Sequence, residues 1–313
     1  MRLLSFLNCG QGRLGIELDN DLVFDANRAC LAFLEQQGEP FAQRLADALL
    51  PSHALAFLQG GTKSLGQAHK VLEFVQGQVQ VNEVLPDYVF QASAIKRLAP
   101  IPNPQKIVCV GRNYHDHVAE MKRDVPTIPV LFAKLGNTVC GHQADIPFPR
   151  VSDQFDYEAE LAVVIGKKGR YIAVDEAMSY VAGYTAMNDI TVRDWQHRTP
   201  QWLQGKSFDN SGPMGPVLIT ADEILDPHQL DIQLWLNGEL RQSDNTRHLI
   251  FDIPALVSFI SQVMTLEPGD VIATGTPGGV GVAMQPQGFM KIGDVVRIEI
   301  EKIGVLENHI VAP

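Results

Sequence analysis

From Phe155 to the C-terminus the chain is a succession of apolar and alternating runs: "EAELAVVIG", "VAGYTAMND", "MGPVLIT", "DIQLWLNGEL", "DVIATGTPGGVG" and "DVVRIEIEKIGVLENHIV". A strand presents successive side chains to opposite faces, so runs of this kind commit the chain to sheets that bury at least one face. Helical periodicity is sparse there, confined to "VDEAMSYV" and "DIPALVSFISQVM". Many strands with few helices predict an α+β fold built around a curved, mixed β-roll or β-sandwich.

The first part of the chain reads differently. "LLSFLN" and "GRLGIEL" predict a hairpin around Gly10 and Gly12, followed by helical patterns at Ala29–Gln37 and Phe41–Leu50. "LAPIPNPQ" places three prolines close together and predicts an extended linker. The expected organisation is therefore a small α+β N-terminal domain over 1–96 and a catalytic domain over 97–313.

Within "FDYEAELAVVIG" two acids lie one residue apart, and strand geometry puts Glu158 and Glu160 on one face with Ala159, Leu161, Val163 and Ile165 on the other. The ordinary reading is a solvated edge strand. The other reading is a pair of carboxylates converging on a cation or a shared proton, since two like charges on one face repel. Asp189, at the end of the apolar run in "GYTAMNDITVRDWQ", is a turn former or N-cap on the first reading and a third carboxylate on the second. Hard oxygen donors of this kind suit Mg²⁺, Mn²⁺ or Ca²⁺. "GRNYHDHVAEM" predicts a loop entering a helix on which His117 and Glu120 are neighbours, so the carboxylate can orient the imidazole. Lys206 in "GKSFD" and Thr276 in "TGTPGGVG" are surface charge and turn unless the other groups recruit them.

Composition limits the partners. The formal net charge is −11, which disfavours nucleic acid and anionic membrane, and any anionic substrate needs local positive charge. Apolar runs fall short of the ~18 residues of a membrane span. Cys9, Cys30, Cys109 and Cys140 are scattered without metal spacing, as in a reducing compartment, and the short apolar start of the chain reads as a first strand, so the cytoplasm is expected. "TPGGVG" lacks the GK[ST] ending of a phosphate loop.

Taken together, "GRNYHDHVAE", "DYEAELAVVIG", "GYTAMNDITVRDWQ", "GKSFD", "GPMGP", "NGELRQSDNTRHLIF", "LEPGDVIATGTPGGVG" and "IGDVVRIEI" resemble the fumarylacetoacetate hydrolase family over residues 107 to about 300. Residues 1–96 resemble the looser N-terminal domain of its longer bacterial members. The resemblance implies that Glu158, Glu160 and Asp189 hold a divalent cation, usually Mg²⁺. It implies a water-activating dyad of His117 and Glu120, carbonyl contacts from Lys206 and Gln196, a carboxylate contact from Thr276 and a substrate contact from Arg193. It also implies a homodimer. "KIVCVG" has no counterpart of the fourth acidic ligand found in the eukaryotic enzyme that names the family. The activity expected on these grounds is hydrolysis of a carbon–carbon bond in acylpyruvate-type 2,4-dioxo acids. His117 would activate water and Lys206 would stabilise the oxyanion. Decarboxylation of oxaloacetate-like acids and tautomerisation of 2-oxo acids use the same enolate chemistry and are the alternatives; a non-catalytic metal-binding protein is disfavoured. The segment from Asn113 to Val125 carries few large apolar residues and reads either as a loosely held lid that orders over a bound ligand or as a fixed surface helix.

Overall fold

The computed structural model describes residues 1–19, 21–81 and 84–313. Its backbone is a large mixed sheet running Val89–Gln91, Leu22–Asp25, Gln11–Glu17, Arg2–Asn8, Gly212–Thr220, Val181–Asn188, Ala159–Ile165, Val271–Ala273, Ile107–Gly111 and Val130–Lys134. The path is open, and the fold is α+β as expected. A second sheet orders Glu239–Asn245, Asp231–Leu236, Val295–Ile300, Gly304–Val311 and Asp145–Pro147.

Two cores follow from the alternation. Leu161, Val163, Tyr184, Val217 and Ile219 on one face of the large sheet share a core with Ile232, Leu234, Ile298, Ile300 and Leu306 of the second sheet. Ala162, Val164, Met187, Met214 and Leu218 on the opposite face join a core built with the N-terminal helices, including Ala29, Leu34, Phe57 and Val71. The strand Ala159–Ile165 lies between two paired neighbours and is buried throughout. A solvated edge strand is therefore excluded.

The N-terminal hairpin forms as read. Asn8 pairs with Gln11, and the two intervening residues, Cys9 and Gly10, both have positive φ (49° and 78°), the turn geometry that matches strand twist. This unit joins the large sheet directly, because Arg2 and Leu3 pair with Ile219 and Leu218. Helices occupy Ala26–Gln36 and Ala42–Leu49, close to the expected spans. A helix not read in the sequence, Gly61–Val81, buries Ser64, Gln67, Ala68, Val71 and Val75, a stripe at three- and four-residue spacing. The proline stretch has neither helix nor strand between Leu98 and Ile107, but Ala99 and Ile101 are buried and Ser5 donates to the Pro100 carbonyl, so it is packed rather than free. No helix among the described residues is long and apolar enough to cross a membrane.

Candidate active site

The site lies where several strands of the large sheet end together. Antiparallel pairing of Ala159 with Asn188 brings the next residues on each side, Glu158 and Asp189, together, and the Asp189 N–H donates to the Glu158 carbonyl at 2.9 Å. Pairing of Ala162 with Ala273 delivers the loop after Val271–Ala273 to the same place, where the Gly275 N–H donates to Glu160 Oε2 at 2.8 Å. Parallel pairing of Ile107–Gly111 with Val271–Ala273 sends the chain after Gly111 over the same end and into the helix His115–Glu120. Sheet register, not local sequence, assembles these groups.

Each of Glu158, Glu160 and Asp189 offers a carboxylate oxygen within 4.8 Å of the others, and all three residues are buried. Lys206 Nζ donates to Glu158 Oε2 at 2.6 Å and to Asp189 Oδ2 at 2.7 Å. Lys134 Nζ is 2.8 Å from Asp189 Oδ1 and donates to the Ile190 carbonyl. Arg193 pairs with Glu158 Oε1 at 2.7 Å and donates through Nε to Asp156 Oδ2 at 2.8 Å. Burial opposes ionisation of Glu158, but Lys206, Arg193 and His117 outweigh it and hold its carboxyl below the usual range. Glu160 differs. Burial, then the charges of Asp189 and Glu158, push its carboxyl well above the usual range. Among the described residues no lysine, arginine or histidine forms an ion pair with it.

This inequality is the observation that fits a cation. Hard oxygen donors converge, and one buried carboxylate has a single backbone N–H for company, a costly arrangement that a divalent ion would relieve. A cation there would share Glu158 and Asp189 with Lys206, whose Nζ now bridges them.

His117 Nδ1 lies 2.7 Å from Glu120 Oε1, and Glu120 Oε2 accepts the Gly279 N–H at 2.8 Å. That contact occupies Nδ1, so Nε2 is the ring nitrogen left to a ligand. Gly279 has φ +103°, and a Cβ there would lie 2.1 Å from the Arg241 carbonyl oxygen, so the glycine-rich loop serves to clamp Glu120 rather than to hold a phosphate. His117, Glu158, Glu160, Arg193, Gln196, Lys206 and Thr276 all line one narrow cavity of about 50 Å³, with Asp189 and Glu120 directly behind them. The sequence-predicted groups thus converge on a single place.

Three further side chains were not singled out in the sequence. Lys134 neutralises Asp189. Asp156, fully buried, accepts from Arg193 and from the Gly281 and Val282 N–H groups, tying the glycine-rich loop to the arginine. Gln242 accepts the Ala159 N–H and donates to Thr276 Oγ1 at 2.8 Å. Asp156 carried a signal, since it continues the two-residue spacing of Glu158 and Glu160; Lys134 and Gln242 carried none. The segment read as a lid or a fixed helix is anchored at its start. Asn113 bonds to Phe251 and Thr274, and Tyr114, His117 and Val118 are buried, while His115, Asp116 and Ala119 on the outer side of the same turn are exposed, as are Lys122–Val125.

Fold and site together are those of an enzyme. The chain belongs to the fumarylacetoacetate hydrolase family: residues 106–311 match the family description "Fumarylacetoacetate (FAA) hydrolase C-terminal". It is 40% identical to oxaloacetate tautomerase YisK of Bacillus subtilis, over 95% of each chain. It is 43% identical to the mitochondrial oxaloacetate tautomerase fahd2 of Xenopus laevis, over 85% of this chain and 80% of the relative. Among solved structures it resembles maleylpyruvate hydrolase from Sphingobium sp. SYK-6, in complex with manganese (II) ion and pyruvate. That match has a TM-score of 0.74 at 30% identity and covers 100% of this chain and 99% of the other.

These relatives correct the activity expected from the sequence. The Bacillus and Xenopus relatives, at 40% and 43% identity over most of the chain, are oxaloacetate tautomerases, not carbon–carbon hydrolases. The misreading has a physical cause: hydrolysis and tautomerisation both stabilise an enolate and both need a base, so the same motif residues serve either reaction.

Proposed function

We propose that this protein is a divalent-cation-dependent tautomerase that interconverts the enol and keto forms of oxaloacetate or a closely similar 2-oxo acid. The observation that carries the reading is His117, held through Nδ1 by Glu120 at 2.7 Å and lining the same cavity as Glu158 and Glu160. The tautomerase relatives support it. Glu158, Glu160 and Asp189 would hold the cation, Mg²⁺ or Mn²⁺, and the manganese in the Sphingobium neighbour is consistent with that choice. When bound, the cation would supply a Lewis acid that favours the enolate over the neutral forms.

The remaining work falls to side chains. Lys206 and Gln196 orient the C2 oxygen, and Thr276, fixed by Gln242, donates its hydroxyl to the C1 carboxylate. In the enol-to-keto direction the C2 hydroxyl gives up its proton, the C2=C3 π bond is replaced by the C2=O π bond, and C3 gains a proton, with no carbon–carbon σ bond broken. His117 Nε2 relays that proton. Glu120 fixes the orientation of the ring that does so. Arg193 holds Glu158 in place through a buried pair also anchored on Asp156. No water is consumed, so the dyad needs no ordered nucleophile.

The test is to follow enol oxaloacetate by its ultraviolet absorbance and C3 deuterium incorporation by NMR, with CO₂ measured in parallel. Acceleration of both enol loss and deuterium exchange without CO₂ release supports the reading. Release of CO₂ at the rate of enol loss contradicts it and favours a decarboxylase.

A further inference from the structure

The mouth of the cavity carries charge that the chemistry just described does not use. Arg112 and Arg123 both line it, together with His197 and Trp202. Among the described residues no carboxylate pairs with either arginine, whereas Arg193, deeper in, is paired with both Asp156 and Glu158. On a chain of net charge −11, two guanidinium groups left without an acid at the entrance of a cavity are a departure from the surface average.

Arg112 is also held in place. Its φ is +58°, a left-handed conformation in which a residue other than glycine, asparagine or aspartate is uncommon. Its guanidinium lies 5.6 Å from the Trp202 ring, which packs edge-on against Phe132 at 5.2 Å. Gly111 makes room for that ring, since a Cβ there would approach it to 2.6 Å. The strand end, the glycine and the tryptophan therefore form a shelf that presents a half-buried guanidinium to the cavity. His197 senses the same field. Burial, then the charges of Arg193, Arg123 and Arg112, hold its imidazole below the usual value. A neutral imidazole leaves the anion to the guanidiniums.

We propose that Arg112, assisted by Arg123, binds the carboxylate of the substrate that lies distal to the reacting carbonyl, and so selects dianionic 2-oxo acids over monoanionic ones. This rests on the tautomerase reading for the inner half of the site and adds the outer half. Arg112 and Arg123 are specificity residues. Neither touches the carbon that gains or loses a proton.

The experiment is calorimetric binding of two unreactive α-hydroxy acids to the Mg²⁺-loaded protein: malate, which carries a distal carboxylate, and lactate, which lacks one. Wild type should bind malate more tightly than lactate. Arg112→Gln should weaken malate by about 10- to 100-fold, the worth of one charged hydrogen bond, and leave lactate unchanged. Arg123→Gln, at an exposed position, should weaken malate by less and again spare lactate. An equal loss for both ligands in both variants, or no preference in wild type, overturns the proposal. Because binding is read without turnover, a malate preference in a protein that fails to enolise oxaloacetate would sink the tautomerase reading and keep the distal carboxylate site.

Discussion

Asp25 and Glu160 are both buried carboxylates in the same large sheet, one near its N-terminal edge and one near its middle. Asp25 accepts from Arg13 Nε and Nη2 at 2.7 and 2.9 Å, and it caps the helix Ala26–Gln36 by accepting the Arg28 N–H at 3.1 Å. Its charge is matched by a planar donor on the neighbouring strand, and both its oxygens are used. Glu160 has one backbone N–H and two like charges beside it. A completed carboxylate holds a fold together. One left incomplete at the bottom of a cavity costs stability, and that cost is tolerated where a ligand supplies the missing charge.

The contrast predicts opposite phenotypes. The largest effect is expected at the incomplete group: Glu160→Gln should reduce enol–keto conversion of oxaloacetate to the buffer rate. Its thermal midpoint in the absence of added metal should match or exceed wild type, because a repelling charge has been removed. A fall in both activity and midpoint would place Glu160 with Asp25 as a structural group.

His117→Ala should cost about 10²–10⁴-fold in turnover, the usual share of a positioned acid–base group, with Mn²⁺ affinity unchanged. Wild-type turnover in that variant would make the dyad decoration. Asp25→Ala should do the reverse. It removes the cap of the helix Ala26–Gln36 and the partner of the half-buried Arg13, so urea unfolding should show a loss of about 1–2 kcal/mol, with kcat retained in the fraction that remains folded. A change in kcat without a change in stability would break the comparison from the other side.

The smallest effect sharpens it at the N-terminal edge. Burial raises the Glu17 carboxyl, but Arg2 and Arg97 outweigh that and bring it below its ordinary 4.5. A carboxyl depressed in the folded state adds stability above its unfolded value and loses it as pH falls through the folded one. The stability gap between wild type and Glu17→Gln should therefore be full at neutral pH and close progressively below about pH 4.5. A gap independent of pH would mean that Glu17 acts through packing.

Much of the inner site was legible because its signals are local. The two-residue spacing of Glu158 and Glu160 sets them on one face, and the three-residue spacing of His117 and Glu120 sets them on one helix turn. Helix Ile253–Val263 was legible from its periodicity, and Asp252 caps it by accepting the Ala255 N–H. What escaped depends on register between distant strands. Lys134 reads as surface charge until pairing of Ile107 with Lys134 brings its strand to the site, and Gln242 becomes relevant only because the Ala159 N–H and Thr276 meet it across the fold. The choice between hydrolysis and tautomerisation was not legible at all, since the residues named from the motifs serve an enolate in either case.

The central claim is that the incomplete carboxylate exists for a cation. Calorimetric titration of Mn²⁺ into metal-stripped wild type and Glu160→Gln tests it directly. The account predicts one Mn²⁺ per chain in wild type and a marked loss of affinity in the variant. Equal affinity in the two proteins would contradict it.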